Sequence, residues 1–231
     1  MTPYAVELLT RVEAAYRDHA DPARATAMTA YMRGQFTFLG LGTPARRALD
    51  RLAVAGLPRP TQDDLAAVAA GCWQMPEREF QHFAVDHLRR HVRSLGPGFI
   101  GQVERLIVDK PWWDTVDGLA TQVVGPLVAA EPAVVQSMDA WIEADNLWVV
   151  RAAILHQLLW RDRTDTARLW RYCERRSTHP DFFVRKAIGW ALREYSKTDG
   201  AAVVRFVAAH TDTLAPLSQR EALKWLGRRE P

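Results

Sequence analysis

One spacing constrains this chain more than any other feature. Pro76, Pro111, Asn146, Asp181 and Pro216 each stand at the head of an amphipathic stretch, and each step between them is 35 residues. The stretches themselves repeat: V-R-A-A-I-L-H-Q-L at 150–158 and V-R-K-A-I-G-W-A-L at 184–192 agree at five of nine positions. R-E-A-L-K-W-L at 220–226 echoes R-K-A-I-G-W-A at 185–191. A period of 34–35 residues with room for two helices per unit is the mark of an α-solenoid, in which each helix pair buries its apolar side on the next. TPR signature residues are not evident, so HEAT-like is the better description. Apolar positions recur at three- and four-residue spacing over 4–19, 22–34, 43–55, 61–73, 76–93, 98–109, 111–129, 132–144, 146–161, 164–177, 181–198, 200–210 and 215–228. No segment alternates as a strand would. The expectation is an all-α chain of about twelve or thirteen helices, forming one curved domain over 1–231.

Composition narrows the class. With 48% hydrophobic and 25% charged residues the chain reads as soluble and globular. Its apolar runs fall short of the ~18 residues a membrane helix needs, and the start, M-T-P-Y-A-V-E-L-L, has no export-signal pattern. Cys72 and Cys173 form neither a disulfide framework nor a metal spacing. The expected compartment is cytoplasmic, and the expected state is a monomer with no membrane partner. Net charge is +3 but unevenly placed: residues 1–145 carry 14 basic against 18 acidic residues, and residues 146–231 carry 16 against 9. A basic C-terminal portion favours a polyanionic partner.

The chemistry is placed at K-P-W-W-D-T-V-D, residues 110–117. Pro111 suits the first turn of a helix. Trp113 and Asp117, four apart, then share a face. Two readings are open. The tryptophans are core and the carboxylates are first-turn dipole partners, or an indole and a carboxylate form a cage for a cation. Under a strict 35-residue register Trp113 and Asp117 correspond to Trp148 and Ala152, then to Phe183 and Ala187, with Arg151 and Trp190 on the same broad stripe. Other motifs fall away. G-P-G-F-I-G at 96–101 matches a dinucleotide pattern on paper, but it follows a helix and contains Pro97, so it reads as a turn. His87 and His91, one turn apart with no third ligand at useful spacing, read as a solvated helix face rather than a metal site. No metal or cofactor is expected.

Six segments in order resemble the AlkD-like DNA alkylation repair glycosylases across nearly the whole chain. They are Y-M-R-G-Q-F-T-F-L-G at 31–40 with T-P-A-R-R at 43–47, P-E-R-E-F-Q at 76–81, W-W-D-T-V-D at 112–117, N-L-W-V-V-R-A-A-I-L at 146–155, F-F-V-R-K-A-I-G-W-A-L-R-E-Y-S-K-T at 182–198, and L-A-P-L-S-Q-R-E-A at 214–222. The resemblance implies a monofunctional DNA glycosylase of base-excision repair that removes cationic N3- and N7-alkylated purines, such as 3-methyladenine and 7-methylguanine, from duplex DNA, associated with the nucleoid. It implies Asp117 as the catalytic carboxylate, Trp113 and Trp190 flanking the lesion nucleotide, and Arg151 holding a phosphate or Asp117. Tyr31, Thr43, Arg46 and Arg47 match an N-terminal DNA-contacting region, and Lys186, Arg193 and Lys197 join the DNA-binding set. Gly42 departs from the pattern, since similar proteins often carry a polar residue there that reaches the duplex. The resemblance also implies cleavage while the base stays stacked. Two other readings remain: a non-catalytic DNA-binding relative, and a HEAT-repeat scaffold for proteins.

Overall fold

The computed structural model describes residues 1–228. Among them every regular element is helical, with one isolated bridge between Thr37 and Glu77 and no strand. None of these helices is long and apolar enough to cross a membrane. By their contacts the residues fall into two compact units, Met1–Gln102 and Val103–Pro231.

The first unit is built on α1 (Pro3–Asp18), α2 (Pro22–Tyr31), α3 (Thr43–Ala53), α4 (Gln62–Gln74) and α5 (Arg78–Arg90). α1 starts on Thr2, whose hydroxyl caps the Ala5 N–H, with Pro3 in the first turn where no N–H is missed. α4 opens with a full capping box between Thr61 and Asp64. α1 packs on α3 and α4, and α5 on α3 and α4, around Leu8, Val12, Leu65, Phe80 and Leu88. The segment between α2 and α3 is tied down by Glu79, fully buried. Its carboxylate accepts the backbone N–H groups of Leu39, Gly40 and Leu41 at 2.9–3.1 Å. His87 is in this core: it is 4% exposed and its ring lies between Tyr4 and Phe83. The solvated face expected for His87 and His91 is therefore wrong for His87, whose burial pushes it down to about 3. The 96–101 segment, expected to be a turn, is a single 3₁₀ turn at Pro97–Phe99 running into α6 (Ile100–Val108), with the Gly96 N–H held by Gln62.

The second unit carries the repeat. Its elements are α7 (Trp113–Leu119), α8 (Gly125–Ala130), α9 (Val135–Trp141), α10 (Leu147–Leu155), α11 (Thr166–Arg175), α12 (Phe182–Tyr195), α13 (Gly200–Ala209) and α14 (Pro216–Leu223). α7 packs on α10, α10 on α12 and α12 on α14, while α9, α11 and α13 each pack on the helix that follows. This is the expected helical-repeat arrangement.

Two details correct the simple periodicity. Pro111 does not open α7: Lys110 turns the chain at φ 46°, Trp112 is extended as the N-cap, and the helix starts at Trp113. The N-caps of successive repeat helices are Glu77, Trp112, Asn146, Asp181 and Ala215, so the steps alternate 35, 34, 35 and 34. Asp117 therefore corresponds to Arg151 and Lys186, five residues past each cap, and not to Ala152 and Ala187. Second, the expected helix over 111–129 is interrupted by a π turn at Ala120–Val124. Pro126 supplies the cause. It has no N–H to give and its ring would strike the carbonyl four residues back, so the helix widens just before it. Counting α7 and α8 as one rod through that turn gives thirteen helices among the described residues.

Candidate active site and nucleic-acid interface

The equivalence of Asp117 and Arg151 explains what the two do. Side chains at matching positions of stacked helices meet, and here they meet as a bidentate pair. Arg151 Nε donates to Asp117 Oδ1 at 2.7 Å and its NH2 to Oδ2 at 2.8 Å, while NH1 donates to the Phe183 carbonyl at 2.6 Å. Arg151 is 1% exposed and the Asp117 side chain 20%. Burial pushes the Asp117 carboxyl above its ordinary value, Arg151 opposes that shift through hydrogen bonds and charge, and Asp114 adds to the rise. A planar fork on a carboxylate at these distances favours the ionised form. Asp117 is thus a poorly hydrated carboxylate anchored by Arg151, with 20% of its side chain exposed. Its own carbonyl accepts the Thr121 hydroxyl at 2.7 Å, just where the π turn begins.

Around this pair the aromatics divide into two groups. Trp112, Trp148 and Phe183 pack together with centroids 4.8–5.7 Å apart, and Phe183 also gives Arg151 its carbonyl. This cluster was missed from sequence because Trp112 was read as part of the helix. Trp113, partly exposed, opens α7 one turn before Asp117. Trp190, on α12, has three cations near its ring: Arg151 at 5.2 Å, Arg193 at 5.7 Å and Lys186 at 5.8 Å from the centroid. Asp117, Arg151 and Trp190 are therefore brought together. Lys186 and Arg193 join them through Trp190, and both donate to Glu221. Lys197 lies further along, paired with Glu194 and 5.4 Å from the Trp225 ring centroid.

The candidates in the first unit separate by exposure. Tyr31 is 72% exposed as the last residue of α2, and Thr43 is exposed as the first of α3. Arg47 is half exposed and shares Asp86. Arg46 is different, at 4% exposed with its guanidinium divided between Asp50 at 2.8 Å and Asp86 at 2.6 Å. The Tyr16 hydroxyl closes the same cluster on Asp50. The expected contact of Arg46 with DNA is corrected accordingly: the guanidinium is buried and held between two carboxylates of the protein. At Gly42 the space is occupied in another way, since Arg24 NH1 lies 3.1 Å from where a Cβ would stand. Arg24 had no sequence signal, because it is eighteen residues away on another helix.

The second unit is thus a helical repeat that mounts a shielded carboxylate among arginines and tryptophans. The family model described as DNA alkylation repair enzyme matches residues 12–226, and the chain belongs to that family. One solved structure, described as "Predicted DNA alkylation repair enzyme from Enterococcus faecalis", is similar at 30% identity with a TM-score of 0.83, covering 90% of this chain and 97% of that one. No curated protein matches.

Proposed function

We propose that this chain is a DNA glycosylase that hydrolyses the N-glycosidic bond of cationic N3- and N7-alkylated purines in duplex DNA. The observation that carries the reading is the bidentate Asp117–Arg151 pair, partly open to solvent on the carboxylate side. An alkylated purine already bears positive charge, so it departs as a neutral base and needs no general acid. The barrier lies in the oxocarbenium-like sugar, as in other glycosidic cleavage. A fixed carboxylate out of bulk water stabilises that developing charge and orients the attacking water. Arg151 keeps Asp117 ionised and aimed, at the cost of part of its field.

The two tryptophans take different parts in this reading. Trp113 offers its π-face to the cationic base, worth roughly 0.5–2 kcal/mol. Trp190, already bordered by three cations, serves as a platform beside the sugar and its phosphates. Lys186, Arg193 and Lys197 supply phosphate contacts in the second unit. Tyr31, Thr43 and Arg47 supply them in the first, with Arg24 taking the place of the polar residue that Gly42 lacks. The test is release of methylated bases from alkylated duplex DNA by the parent and by Asp117→Asn. The variant should lose on the order of 10²–10³ in rate while still binding duplex.

A further inference from the structure

Glu221 is the buried charge in the second unit that the proposed chemistry leaves unused. It lies on α14, 7% exposed, thirty-five residues past Lys186. Its Oε1 accepts from Lys186 Nζ at 2.8 Å and its Oε2 from Arg193 NH1 at 2.7 Å, with Lys224 Nζ 3.9 Å away. α14 comes this near because residue 189 has no side chain. A Cβ on Gly189 would stand 2.5 Å from Glu221 Cβ and 3.0 Å from the Ser218 carbonyl oxygen. Ser218 fixes the same crossing by donating its hydroxyl to the Arg185 carbonyl at 2.8 Å. The two cations keep 24% and 29% of their side chains exposed. Each gives Glu221 a single N–H, leaving further donors for an outside anion.

We infer that Glu221 is a built-in counter-anion: it holds Lys186 and Arg193 beside Trp190 and weakens their attraction for duplex phosphate. The inference rests on the reading of this chain as a DNA-binding repair enzyme. Stripped of both cations, Glu221 would keep only Lys224 at 3.9 Å, and a buried charge so weakly paired is heavily penalised. A phosphate therefore adds to the two cations rather than displacing Glu221, and it meets a fixed negative charge behind them. The attraction is trimmed, not abolished. An enzyme that must move along undamaged duplex to find a rare lesion gains from this, because non-specific grip is set by phosphate contacts.

The test is equilibrium binding to an unmodified duplex oligonucleotide at several salt concentrations. Glu221→Gln should bind on the order of threefold to tenfold tighter near 0.1 M salt. Its log–log salt slope should steepen by up to about 0.9, one phosphate equivalent. In a Lys186→Ala/Arg193→Ala background the same substitution should change affinity less than about twofold, as additivity with the lost partners fails. Loss of a merely structural contact weakens binding and cannot tighten it, so a folded Glu221→Gln protein that binds equally or more weakly overturns the inference. Should that variant fail to fold, Glu221→Met, neutral and of similar length, carries the same expectation. A parent that does not bind duplex at low salt sinks the DNA reading and this inference together. A parent that binds but releases no alkylated base sinks the glycosylase reading and leaves this one to the salt slopes.

Discussion

Arg151 shows how much one side chain decides here. It satisfies both oxygens of Asp117 and a backbone carbonyl with one rigid fork, which a lysine cannot reproduce. Arg151→Lys should lower alkylated-base release by roughly 10–100-fold, less than the 10²–10³ typical of removing an electrostatic stabiliser outright. It should also move the acid limb of the pH–rate profile upward. The sign follows from the raised pKa of Asp117. The reaction needs the ionised form, so activity falls as pH drops through the folded pKa, and losing hydrogen bonds to the carboxylate raises that pKa further. Stability runs the other way: with a folded pKa above the unfolded value of 3.8, Asp117 works against folding as pH rises through that window. An unchanged profile in Arg151→Lys would show that Arg151 does not govern Asp117. Of this residue-level picture, Asp117 and Trp113 were legible as types at a suggestive spacing, while Trp190 and the hold of Arg151 on Asp117 came from the family resemblance. The carboxylates that pair with other cations were not legible. Burial of Arg46 and the clamp at Glu221 depend on which carboxylates the fold delivers to them, and neighbouring letters carry no trace of that.

Helices set these meetings, and their registers and close approaches are where the sequence misled. A uniform 35-residue step paired Asp117 with Ala152; the observed step of 34 pairs it with Arg151, because α7 begins two residues after Pro111. One residue of slip rotates a side chain by about 100°, enough to turn an ion pair into an alanine. The π turn was also hidden, although Gly125-Pro126 in the middle of a helical pattern was its signal. Gly125 itself permits a contact between elements: a Cβ there would stand 2.3 Å from the His156 carbonyl oxygen. Gly125→Ala should therefore destabilise the protein by about 1–3 kcal/mol, the usual cost of overpacking. Gly101→Ala, on α6 with nothing within 4 Å of the added carbon, should instead gain up to about 1 kcal/mol from helix propensity. Thermal melts of the two variants check this, and equal shifts would contradict the account of Gly125. Helix existence, by contrast, was readable throughout. Thr2, Asn146 and Asp181 cap the segments they precede, and the apolar spacing held over every one of them.

For the molecule as a whole, class and partner were legible: period and composition pointed to an all-helical repeat, and the basic bias after residue 145 to a polyanion. Its response to acid was not, because that depends on the burial of His87, read as solvated, and of His156, which carried no signal of its own. Burial pushes His87 down to about 3 and His156 to about 4, against 6.5 unfolded. The unfolded chain therefore takes up protons that the folded one refuses. Stability should be fully present above about pH 6.5 and fall as pH drops toward those folded values, by up to about 1.4 kcal/mol per pH unit for each histidine. Urea melts at pH 7 and pH 5 should show a lower midpoint at pH 5; equal midpoints would mean that neither ring is held neutral. The central claim, that an anchored Asp117 expels bases already carrying positive charge, is tested most directly by one assay. Parent and Asp117→Asn proteins are incubated with duplex DNA containing 7-methylguanine, 3-methyladenine or uracil, and the released bases are measured. The account predicts release of both methylated purines by the parent, little release of uracil, and a loss on the order of 10²–10³ in the variant. Efficient uracil release, or an Asp117→Asn protein as fast as the parent, would contradict it.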